Sequence, residues 1–432
     1  MTSSTMETHL VGPTKIARGA GTGASVAVEQ CQICGSEKLD YVLSLGYMPP
    51  VNQMVPIGQV PRQQPWFPTD LLHCRQCDLV QLGLAVDPVI IFPPEYPYTS
   101  GTTKLLRDNF ADLQRESAAM LGLTDKDLVV DIGSNDGTLI SNFQKAGNRI
   151  LGIEPTDVGD IANARGIPTI KRYFGKAAAQ EVVASHGKAK VITAANCFAH
   201  IEDVHAIVEG ILEMLDEDGA FISESHYLIP LLDTLQYDTV YHEHLRYYSL
   251  TSLKYLLEMH GLEVFHARPI PSHGGSIRVY AGRKGKRPVE PSVQKMLDAE
   301  PKGEAMSTRL KQFKHDVLLT KLRLLSMLRD LKEQNARVVG ISAPSRASTL
   351  FNYVGLDDGI IDYVCEIQGS LKIGKCMPGT SIPVVDEARL FADQPEAAVI
   401  FSWHIADELA PKLRAKGYKG KLISPLPEPR YL

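Results

Sequence analysis

Short apolar runs alternate with helical segments through most of this 432-residue chain, and that alternation constrains its fold more than any other feature. From about residue 105 a helical segment precedes the apolar run "DLVVDIG", the helix-like "TLISNFQKAG" and a second apolar run, "RILGIEP". After a long charged helical stretch, the alternation restarts near residue 336 with "RVVGISAPSRASTLFNYVGL". Strands that alternate with helices form mostly parallel sheets covered by helices on both faces. The sequence therefore predicts an α/β protein with two doubly wound units.

Four of the seven cysteines form two Cys-x-x-Cys pairs ahead of the first α/β unit: Cys31, Cys34, Cys74 and Cys77. Each pair places two thiolates on one tight turn, and two pairs complete the tetrahedral shell of a zinc site. Because four cysteines leave no coordination position open, the expected metal is a structural Zn²⁺. The alternative is four unrelated buried or redox-active thiols, which the paired spacing does not favour.

These patterns divide the chain into five segments. Residues 1–28 are rich in Gly, Ser, Thr and Ala and are predicted to be a disordered tail. Residues 29–100 are predicted to form the zinc-binding domain and a proline-punctuated connector, and residues 101–288 the first α/β domain. The stretch 289–335 is predicted to be a helical connector, and residues 336–432 the second α/β domain.

Composition and charge exclude some classes of partner. Charged residues make up 22% of the chain and the net charge is −5, without the long basic run typical of nucleic-acid binding. No apolar run approaches the roughly 20 residues of a membrane span. The N-terminus also lacks the apolar stretch of a secretory signal. We therefore expect a cytoplasmic monomer or small homo-oligomer that binds neither nucleic acid nor membrane.

The run "DIGSNDG" has the residue types of a ligand-binding turn between a strand and a helix. Gly133 and Gly137 let the backbone approach a ligand, and Asn135 tolerates left-handed backbone. Asp131 stands at the strand end, and Glu154 ends the next strand, where an acidic residue can bind ribose hydroxyls. An ordinary strand–helix turn is the alternative. The G-x-G-x-x-G of NAD sites is absent, whereas D-x-G-x-N-x-G is similar to the first motif of class I methyltransferases that use S-adenosylmethionine.

The stretch "DTVYHEHLRYYSL" concentrates titratable and phenolic side chains that structural cores rarely collect, since each buried polar atom needs a partner. It contains Tyr241, Glu243 and His244 within four positions. For His242 a structural role in the interior is expected as readily as a functional one. Tyr247 and Tyr248 are of a residue type that is more often a core aromatic than a catalyst. This composition favours general acid–base chemistry.

The chain resembles the S-adenosylmethionine-dependent sugar C-methyltransferases of deoxysugar pathways over nearly everything after Gln30. The motifs that carry the resemblance are "CQIC", "CRQC", "YPYTSGTT", "DIGSNDG", "NCFAHI", "DTVYHEHLRYYSL", "HGGSIR", "GISAPSRASTLFNYVGL", "KIGKCMPGTSIPV" and "FSWHIADEL". The resemblance implies a class I, Rossmann-like methyltransferase domain flanked by a small zinc-binding domain and a second doubly wound domain that binds a nucleotide sugar. It also implies methylation at C3 of a nucleotide-activated 4-keto-6-deoxyhexose.

The resemblance gives roles to particular residues of the methyltransferase domain. It makes His244 the base that removes the C3 proton, and a histidine with an ordinary pKa near 6.5 suits that task. Glu243 would orient a histidine or hold a sugar hydroxyl, and His200 would lie where the sulfonium meets the substrate. Donors to the enolate oxygen would be Tyr241 and a phenol of "EYPYTSG", Tyr96 or Tyr98. Asn196 of "NCFAHI" joins the expected cofactor site.

The expected nucleotide-sugar site collects polar residues from the last part of the chain: His273, Arg278, Ser345, Arg346, Glu366 and Lys372. Arg278 and Arg346 are candidate partners of a diphosphate, because a guanidinium matches phosphate oxygens bidentately. His273 precedes two glycines that permit close approach to a sugar. His226 and His404 are expected to be structural.

Three other functions remain open from the sequence. A small-molecule O- or N-methyltransferase would share the cofactor turn but would not need a base that forms an enolate. A zinc-bearing nucleic-acid methyltransferase is disfavoured by the acidic composition. A non-catalytic nucleotide-binding scaffold would have no reason to keep a base and phenols beside the cofactor site.

Overall fold

The structure, a computed structural model, describes residues 24–59, 64–92, 101 and 103–432. Within these residues the larger sheets are a four-stranded sheet near the N-terminus, a seven-stranded sheet and a six-stranded sheet. None of the helices in the described ranges has both the length and the apolar character needed to cross a membrane.

The N-terminal unit is an antiparallel sheet with a short two-stranded ribbon. Its elements are β1 (Ser25–Ala27), β2 (Leu39–Met48), β3 (Phe67–Cys74), β4 (Val80–Leu82), β5 (Leu84–Val86) and α1 (Pro88–Ile91). β2, β3 and β4 pair in that order, and β1 pairs with β5. Residues 1–23 lie outside the described residues, but the prediction that the disordered tail extends to residue 28 is wrong. Ser25–Ala27 forms a ladder with β5, and the adjoining Val28 is buried.

The middle of the chain forms a seven-stranded sheet with helices on both faces. Its strands are β6 (Leu128–Ile132), β7 (Arg149–Ile153), β8 (Thr169–Ile170), β9 (Ala189–Ala195), β10 (Leu215–His226), β12 (Leu262–Ile270) and β13 (Ser276–Arg283). Its helices are α2 (Lys104–Leu121), α3 (Ile140–Lys145), α4 (Val158–Ala164), α5 (Lys176–His186), α6 (Val204–Met214), α7 (Leu228–Asp233) and α8 (Leu250–Met259).

The strand order of this sheet is β12-β13-β10-β9-β6-β7-β8, and β13 is antiparallel to both of its neighbours. From β6 the chain moves outward through β7 and β8 and then returns to β9 on the other side of β6. That reversal leaves a crevice at the carboxyl ends of β6 and β9, where doubly wound sheets bind ligands. The turn "GSNDG" follows β6 and therefore lies at this crevice.

A helical region separates this sheet from the last one. It consists of α9 (Pro291–Ala299) and the 30-residue α10 (Glu304–Glu333). The last sheet contains β14 (Val338–Ile341), β15 (Val364–Glu366), β16 (Val384–Asp386), β17 (Ala397–Ile400), β18 (Lys421–Ser424) and β19 (Arg430–Tyr431). Its helices are α11 (Ser345–Val354), α12 (Ala388–Asp393) and α13 (Ala406–Ala415).

The last sheet is doubly wound, with the order β16-β15-β14-β17-β18-β19. Its first five strands in this order are parallel, and β19 is antiparallel to β18. The switch point lies between β14 and β17, so its crevice opens beside the N-terminus of α11. The predicted fold class, a Rossmann-like domain flanked by a small cysteine-bearing domain and a second doubly wound domain, is confirmed.

The "DTVYHEHLRYYSL" stretch physically joins these units. It leaves the seven-stranded sheet through a 3₁₀ turn at Tyr237–Thr239 and then adds β11 (Arg246–Tyr247) to the edge of β4. The amide of Leu245 donates to the carbonyl of Ala199, and its carbonyl accepts from Leu82, at 3.0 and 2.9 Å. Every residue from 236 to 250 is buried. The stretch is therefore held on one side by the N-terminal sheet and on the other by the methyltransferase-like unit.

One apolar core runs through all three units. It contains Leu45 of β2, Leu231 of α7, Phe313 and Leu324 of α10, and Phe351 of α11. Each of these side chains is at most 4% exposed. Because the units share one core, the crevices between them are parts of one packed molecule.

A buried ion pair joins the second α/β unit to the central stretch. Nε and one terminal nitrogen of Arg346 each lie 2.7 Å from an oxygen of Asp238. The indole nitrogen of Trp403 donates to the same carboxylate at 2.7 Å, and Asp238 is 1% exposed. Two parallel hydrogen bonds fix both distance and orientation. This pair sets how the head of α11 sits against the central stretch.

We predict that Asp238→Ala destabilises the protein by about 3–5 kcal/mol, because it leaves a buried guanidinium without its counter-charge. The change would appear as a lower midpoint of thermal or denaturant unfolding. The matched control is Asp233→Ala, which breaks the exposed pair with Arg309 and should cost no more than about 1 kcal/mol. Equal effects of the two substitutions would contradict a structural role for the buried pair.

Candidate active site

His244 lies at the end of a tight turn closed by a hydrogen bond from its amide to the carbonyl of Tyr241 at 2.9 Å. Its Nδ1 lies 2.8 Å from the carbonyl oxygen of Thr239. Because a carbonyl oxygen can only accept, Nδ1 carries the proton and Nε2 presents the lone pair. Burial lowers the pKa of His244 to about 4. The ring is therefore neutral at pH 7 and has the protonation state of a general base.

Three further histidines come from the carboxyl edge of the seven-stranded sheet. His200 follows β9, His226 ends β10, and His273 lies in the turn before β13. The His244 ring centroid lies 5.0 Å from that of His200 and 5.1 Å from that of His226, and His226 lies 5.5 Å from His273. Burial lowers the pKa of all three, that of His273 to about 4. The neutral rings can therefore stand close together without charge repulsion.

His273 has two features that mark a functional position. Its backbone is left-handed, with φ +56°, which is uncommon for any residue other than glycine. Its Nε2 is buried and has no hydrogen-bond partner among the described residues. Strained backbone and unpaired buried polar atoms are both typical of functional sites. The predicted contact with a sugar stays a prediction.

Tyr241 and Glu243 belong to the same turn as His244 and precede it in the sequence. The rings of Tyr241 and His244 are 4.2 Å apart. Burial, assisted by the charge of Glu243, raises the pKa of Tyr241 well above its usual 10, so the phenol keeps its proton and can donate it in a hydrogen bond. Glu243 is 4% exposed, and its Oε1 accepts from Nδ2 of Asn52 at 2.6 Å. The turn thus offers a base, a neutral phenol and a fixed carboxylate.

His242 has a structural place in the same turn. Its Nε2 lies 3.2 Å from the hydroxyl oxygen of Thr69 and 3.1 Å from the carbonyl oxygen of Pro68, both in β3. Its ring meets Phe67 edge-on at 5.7 Å. It therefore packs into the N-terminal unit. Tyr96 and Tyr98, the other predicted phenols, lie outside the described residues.

The glycine-containing turn after β6 has the left-handed backbone that its sequence predicts. Gly133, Asn135 and Gly137 have φ values of +69°, +51° and +76°. A Cβ on Gly133 would lie 2.9 Å from the Cβ of Cys197, and one on Gly137 would lie 2.7 Å from Ile167. Side chains at the two glycines would therefore clash as well as strain the backbone. The turn leaves its backbone close to the crevice between β6 and β9.

Three carboxylates lie at the same edge of the sheet: Asp131, Glu154 and Glu224. Oδ1 of Asp131 accepts a hydrogen bond from the hydroxyl of Thr193 at 2.6 Å. Burial, together with the charges of Glu154 and Glu224, raises the pKa of Asp131 to about 7. Arg278 balances the charge of Glu224, and the acidic groups Asp131 and Glu154 favour a cationic ligand. These residues fit S-adenosylmethionine, whose sulfonium and ammonium groups are both positive.

Glu154 and Asn196 complete this edge. Glu154 accepts from the backbone amide of Asn135 at 3.0 Å, and from both the amide and the hydroxyl of Thr156 at 2.9 and 2.6 Å. Asn196 has φ +58°, and its amide donates to the carbonyl of Glu224 at 2.8 Å. The structure brings all six predicted cofactor residues to one edge, while their contacts with a cofactor stay predictions.

Arg278 was expected to bind a diphosphate, and that prediction is wrong. The side chain is fully buried in β13, and its five N–H groups donate to protein atoms. The acceptors are Glu224, Asp112, Glu116 and two oxygens of Asn109, at 2.5–3.2 Å. The guanidinium balances a buried group of carboxylates, so no donor is left for a ligand. Sequence alone did not reveal this because Asp112 and Glu116 lie on the distant helix α2.

Four other predicted substrate residues, Ser345, Arg346, Glu366 and Lys372, lie at the crevice of the second α/β unit. Glu366 ends β15, and its Oε2 accepts from the amide of Ala343 at 3.0 Å. Lys372 donates to the carbonyl of Ala343 at 2.6 Å. Burial lowers the pKa of Lys372, against the opposing effects of the Glu366 and Glu243 carboxylates. The positive charge of Lys372 therefore interacts both with Glu366 at this crevice and with Glu243 in the Tyr241–His244 turn.

Ser345 and Arg346 begin α11 at the same crevice. The Ser345 hydroxyl lies 2.8 Å from Oδ1 of Asn52. Arg346 is engaged with Asp238 but also faces the histidines, since its positive charge lowers the pKa of His244 and His273. A contact of either residue with a nucleotide stays a prediction.

Four cysteine sulfurs come together at the N-terminal unit. The pairs Cys31–Cys77 and Cys34–Cys74 are each 3.5 Å apart, and all four sulfurs lie within 4.8 Å of one another. Tetrahedral Zn²⁺ with bonds of about 2.3 Å places its sulfurs about 3.8 Å apart. Register explains how the distant pairs meet, because Leu39 lies opposite Cys74 in the β2–β3 ladder. The donor set fits a structural Zn²⁺.

Family models match three consecutive parts of the chain. A model described as "Putative zinc binding domain" matches residues 31–92, one described as "Methyltransferase domain" matches 104–267, and one described as "C-methyltransferase C-terminal domain" matches 271–427. The curated protein C-methyltransferase NovU of Streptomyces niveus is 32% identical over 409 residues, which cover 94% of this chain and 97% of the relative. The chain belongs to this C-methyltransferase family. The resemblance found from the sequence is confirmed at the level of the family, and S-adenosylmethionine is its cofactor.

Solved methyltransferases resemble part of this C-methyltransferase distantly. The magnesium protoporphyrin IX methyltransferase of Synechocystis PCC 6803 with bound S-adenosylhomocysteine is 14% identical, covers 41% of this chain and 83% of its own, and has a TM-score of 0.33. An S-adenosylmethionine-dependent methyltransferase of Clostridium acetobutylicum is 11% identical, covers 43% and 94%, and has a TM-score of 0.32. The domain assignment rests on the strand order and the family models.

Sequence reasoning missed several residues of the candidate site. Asn52 and Glu224 were not singled out, and His226 and His404 were expected to be structural. His226 contacts His244, whereas the side chain of His404 is exposed, so its expected structural role stays a prediction. For His226 the sequence carried a usable signal, because this residue lies at the carboxyl end of the strand β10. For Asn52, in an irregular turn, the sequence carried no such signal.

We predict that Cys74→Ser lowers zinc content below one equivalent and lowers the thermal midpoint by at least about 5 °C, since metal binding contributes folding free energy. Elemental analysis and thermal unfolding would measure the two effects. Cys376→Ser, at a buried cysteine of the second α/β unit, is the matched control and should keep the zinc. Wild-type protein purified without metal, yet fully folded, would contradict the structural zinc site.

Proposed function

We propose that this C-methyltransferase deprotonates C3 of a nucleotide-linked 4-keto-6-deoxyhexose and methylates that carbon with S-adenosylmethionine. The observation that supports it most is the neutral His244 imidazole, oriented by the Thr239 carbonyl oxygen beside the cofactor crevice. Attack by an oxygen or nitrogen nucleophile does not require a carbanion. An enclosed neutral base with a phenol beside it therefore favours a carbon acid activated by a ketone.

The protein groups would act in sequence on the sugar. Nε2 of His244 takes the proton from C3, and the electron pair of the broken C–H bond moves into a C3–C4 double bond. The negative charge then resides on the C4 oxygen, toward which Tyr241 can donate its phenolic hydrogen because burial keeps that group protonated. S-adenosylmethionine would supply the electrophilic methyl group: C3 would attack its carbon, the S–CH₃ bond would break with its electron pair left on sulfur, S-adenosylhomocysteine would be the leaving group, and the C4 ketone would be restored. The proton remains on His244 until it passes to solvent.

The nucleotide would lie at the crevice of the second α/β unit. Ser345 and Arg346 stand at the N-terminus of α11, where backbone amides favour phosphate oxygens. Glu366 ends β15, a position suited to ribose hydroxyls, and Lys372 supplies a positive charge between that crevice and Glu243. This arrangement would direct the sugar from the nucleotide crevice toward His244.

The test follows the C3 proton in D₂O with a panel of nucleotide-4-keto-6-deoxyhexoses, with and without S-adenosylmethionine. NMR would detect exchange at C3, and mass spectrometry would detect the added methyl group. We predict that His244→Gln slows both by about 10²–10⁴-fold, the usual contribution of a general base.

His242→Gln is the matched control, since it alters the neighbouring residue whose ring faces β3. It should leave exchange within a few-fold of the wild-type rate once the folded fraction is accounted for. If wild-type protein exchanges no sugar proton but methylates oxygen or nitrogen of a small molecule, the carbon-methylation proposal is wrong.

A further inference from the structure

The side chain of Asn52 contacts both of the other units at once. Its Nδ2 lies 2.6 Å from Oε1 of Glu243 in the central turn, and its Oδ1 lies 2.8 Å from the hydroxyl of Ser345 at the head of α11. Asn52 itself belongs to the cysteine-bearing unit, in the segment that follows β2. One amide therefore joins three units at the place where the proposed sugar and nucleotide sites meet.

The orientation of this amide is fixed by its partners. An ionised carboxylate can only accept, so the NH₂ group of Asn52 must face Glu243. The amide oxygen then faces Ser345, whose hydroxyl must donate. Glu243 is 4% exposed, and a buried carboxylate without such donors would be costly. The contact thus holds Glu243 in one position.

The segment that carries Asn52 is anchored to the second α/β unit by backbone hydrogen bonds. The amide of Cys376 donates to the carbonyl of Val55 at 2.7 Å, and the amide of Ile57 donates to the carbonyl of Gly374 at 2.9 Å. These bonds do not depend on the Asn52 side chain. A substitution at Asn52 should therefore change the contact with Glu243 without releasing the segment.

We propose that Asn52 is a positioning residue of the active site, which holds the Glu243 carboxylate beside His244 and ties it to Ser345. By this inference the zinc-binding unit does more than stabilise the fold, because it completes the site. The inference rests on the proposed function for the part Glu243 plays in catalysis, but the contact itself can be tested without substrate.

Asn52→Asp is the most informative variant. A protonated aspartic acid can donate to Glu243 as the amide does, whereas two carboxylates 2.6 Å apart repel each other. Lys372 and Tyr241 also face Glu243, and the positive charge of Lys372 reduces the repulsion without removing it. The new carboxyl should therefore have a raised pKa in the folded protein. Stability due to its bound proton is present at low pH and is lost as pH rises through that pKa.

The substrate-free experiment measures thermal midpoints between about pH 5.5 and 8.5. We expect the midpoint of Asn52→Asp to fall below that of wild type as pH rises, and this pH dependence to vanish in the double variant with Glu243→Gln. A pH dependence that persists in the double variant, or none in the single variant, overturns the proposed contact. Neither outcome depends on which substrate the enzyme uses.

The catalytic experiment uses the sugar that wild-type protein methylates fastest. Asn52→Ala should lower kcat by about tenfold or more at every pH, with an unchanged KM for S-adenosylmethionine. Asn52→Asp should approach wild-type kcat near pH 5.5 and lose activity toward pH 8.5. Gln53→Ala is the matched control, since it removes the adjacent hydrogen bond to the carbonyl of Ile90 and should keep kcat near wild type. An equal loss in the control, or full activity in Asn52→Ala, would overturn the positioning role.

Discussion

The hydrogen bond between Nδ1 of His244 and the carbonyl oxygen of Thr239 is the interaction on which the chemistry of this site depends. It fixes the tautomer of the imidazole, so that the lone pair lies on Nε2. Burial then keeps the ring neutral, and the same burial keeps the Tyr241 phenol protonated. One enclosed turn therefore holds a group that can accept a proton and a group that can donate a hydrogen bond, at a ring separation of 4.2 Å.

Such a turn can be buried only if it has protein on every side, and this explains why three units are needed. β11 continues the stretch into the N-terminal sheet, the Leu245 amide bonds to the methyltransferase domain, and Asp238 pairs with Arg346 of the second α/β unit. The zinc site supports the first of these contacts by joining the chain before β2 to the end of β3, where Leu39 pairs with Cys74. The burial of His244 therefore depends on contacts from all three units of the chain.

Features set by local sequence were predictable. The cysteine pairs, the left-handed turn at Gly133 and Asn135, and the α/β class follow from spacing and from backbone preferences that act over a few residues. Long-range partners were not. Arg278 was predicted to bind phosphate because a guanidinium matches phosphate oxygens bidentately. Only the folded chain brings Glu116 of α2 to it. Asn52 acquires its contacts in the same way, through residues distant in the chain.

The most direct test of His244 as a buried neutral base is the pH dependence of C3 proton exchange in D₂O without S-adenosylmethionine. It is measured at low substrate concentration, so that the rate reports the pKa values of the free enzyme. His244 with a pKa of about 4 stays in its basic form as pH falls through 6.5, so the exchange rate should decline only as pH approaches about 4. The residual exchange of His244→Gln should not show this decline in rate as pH falls. A rate that halves near pH 6.5, as for an ordinary solvent-exposed histidine, would contradict a buried neutral base.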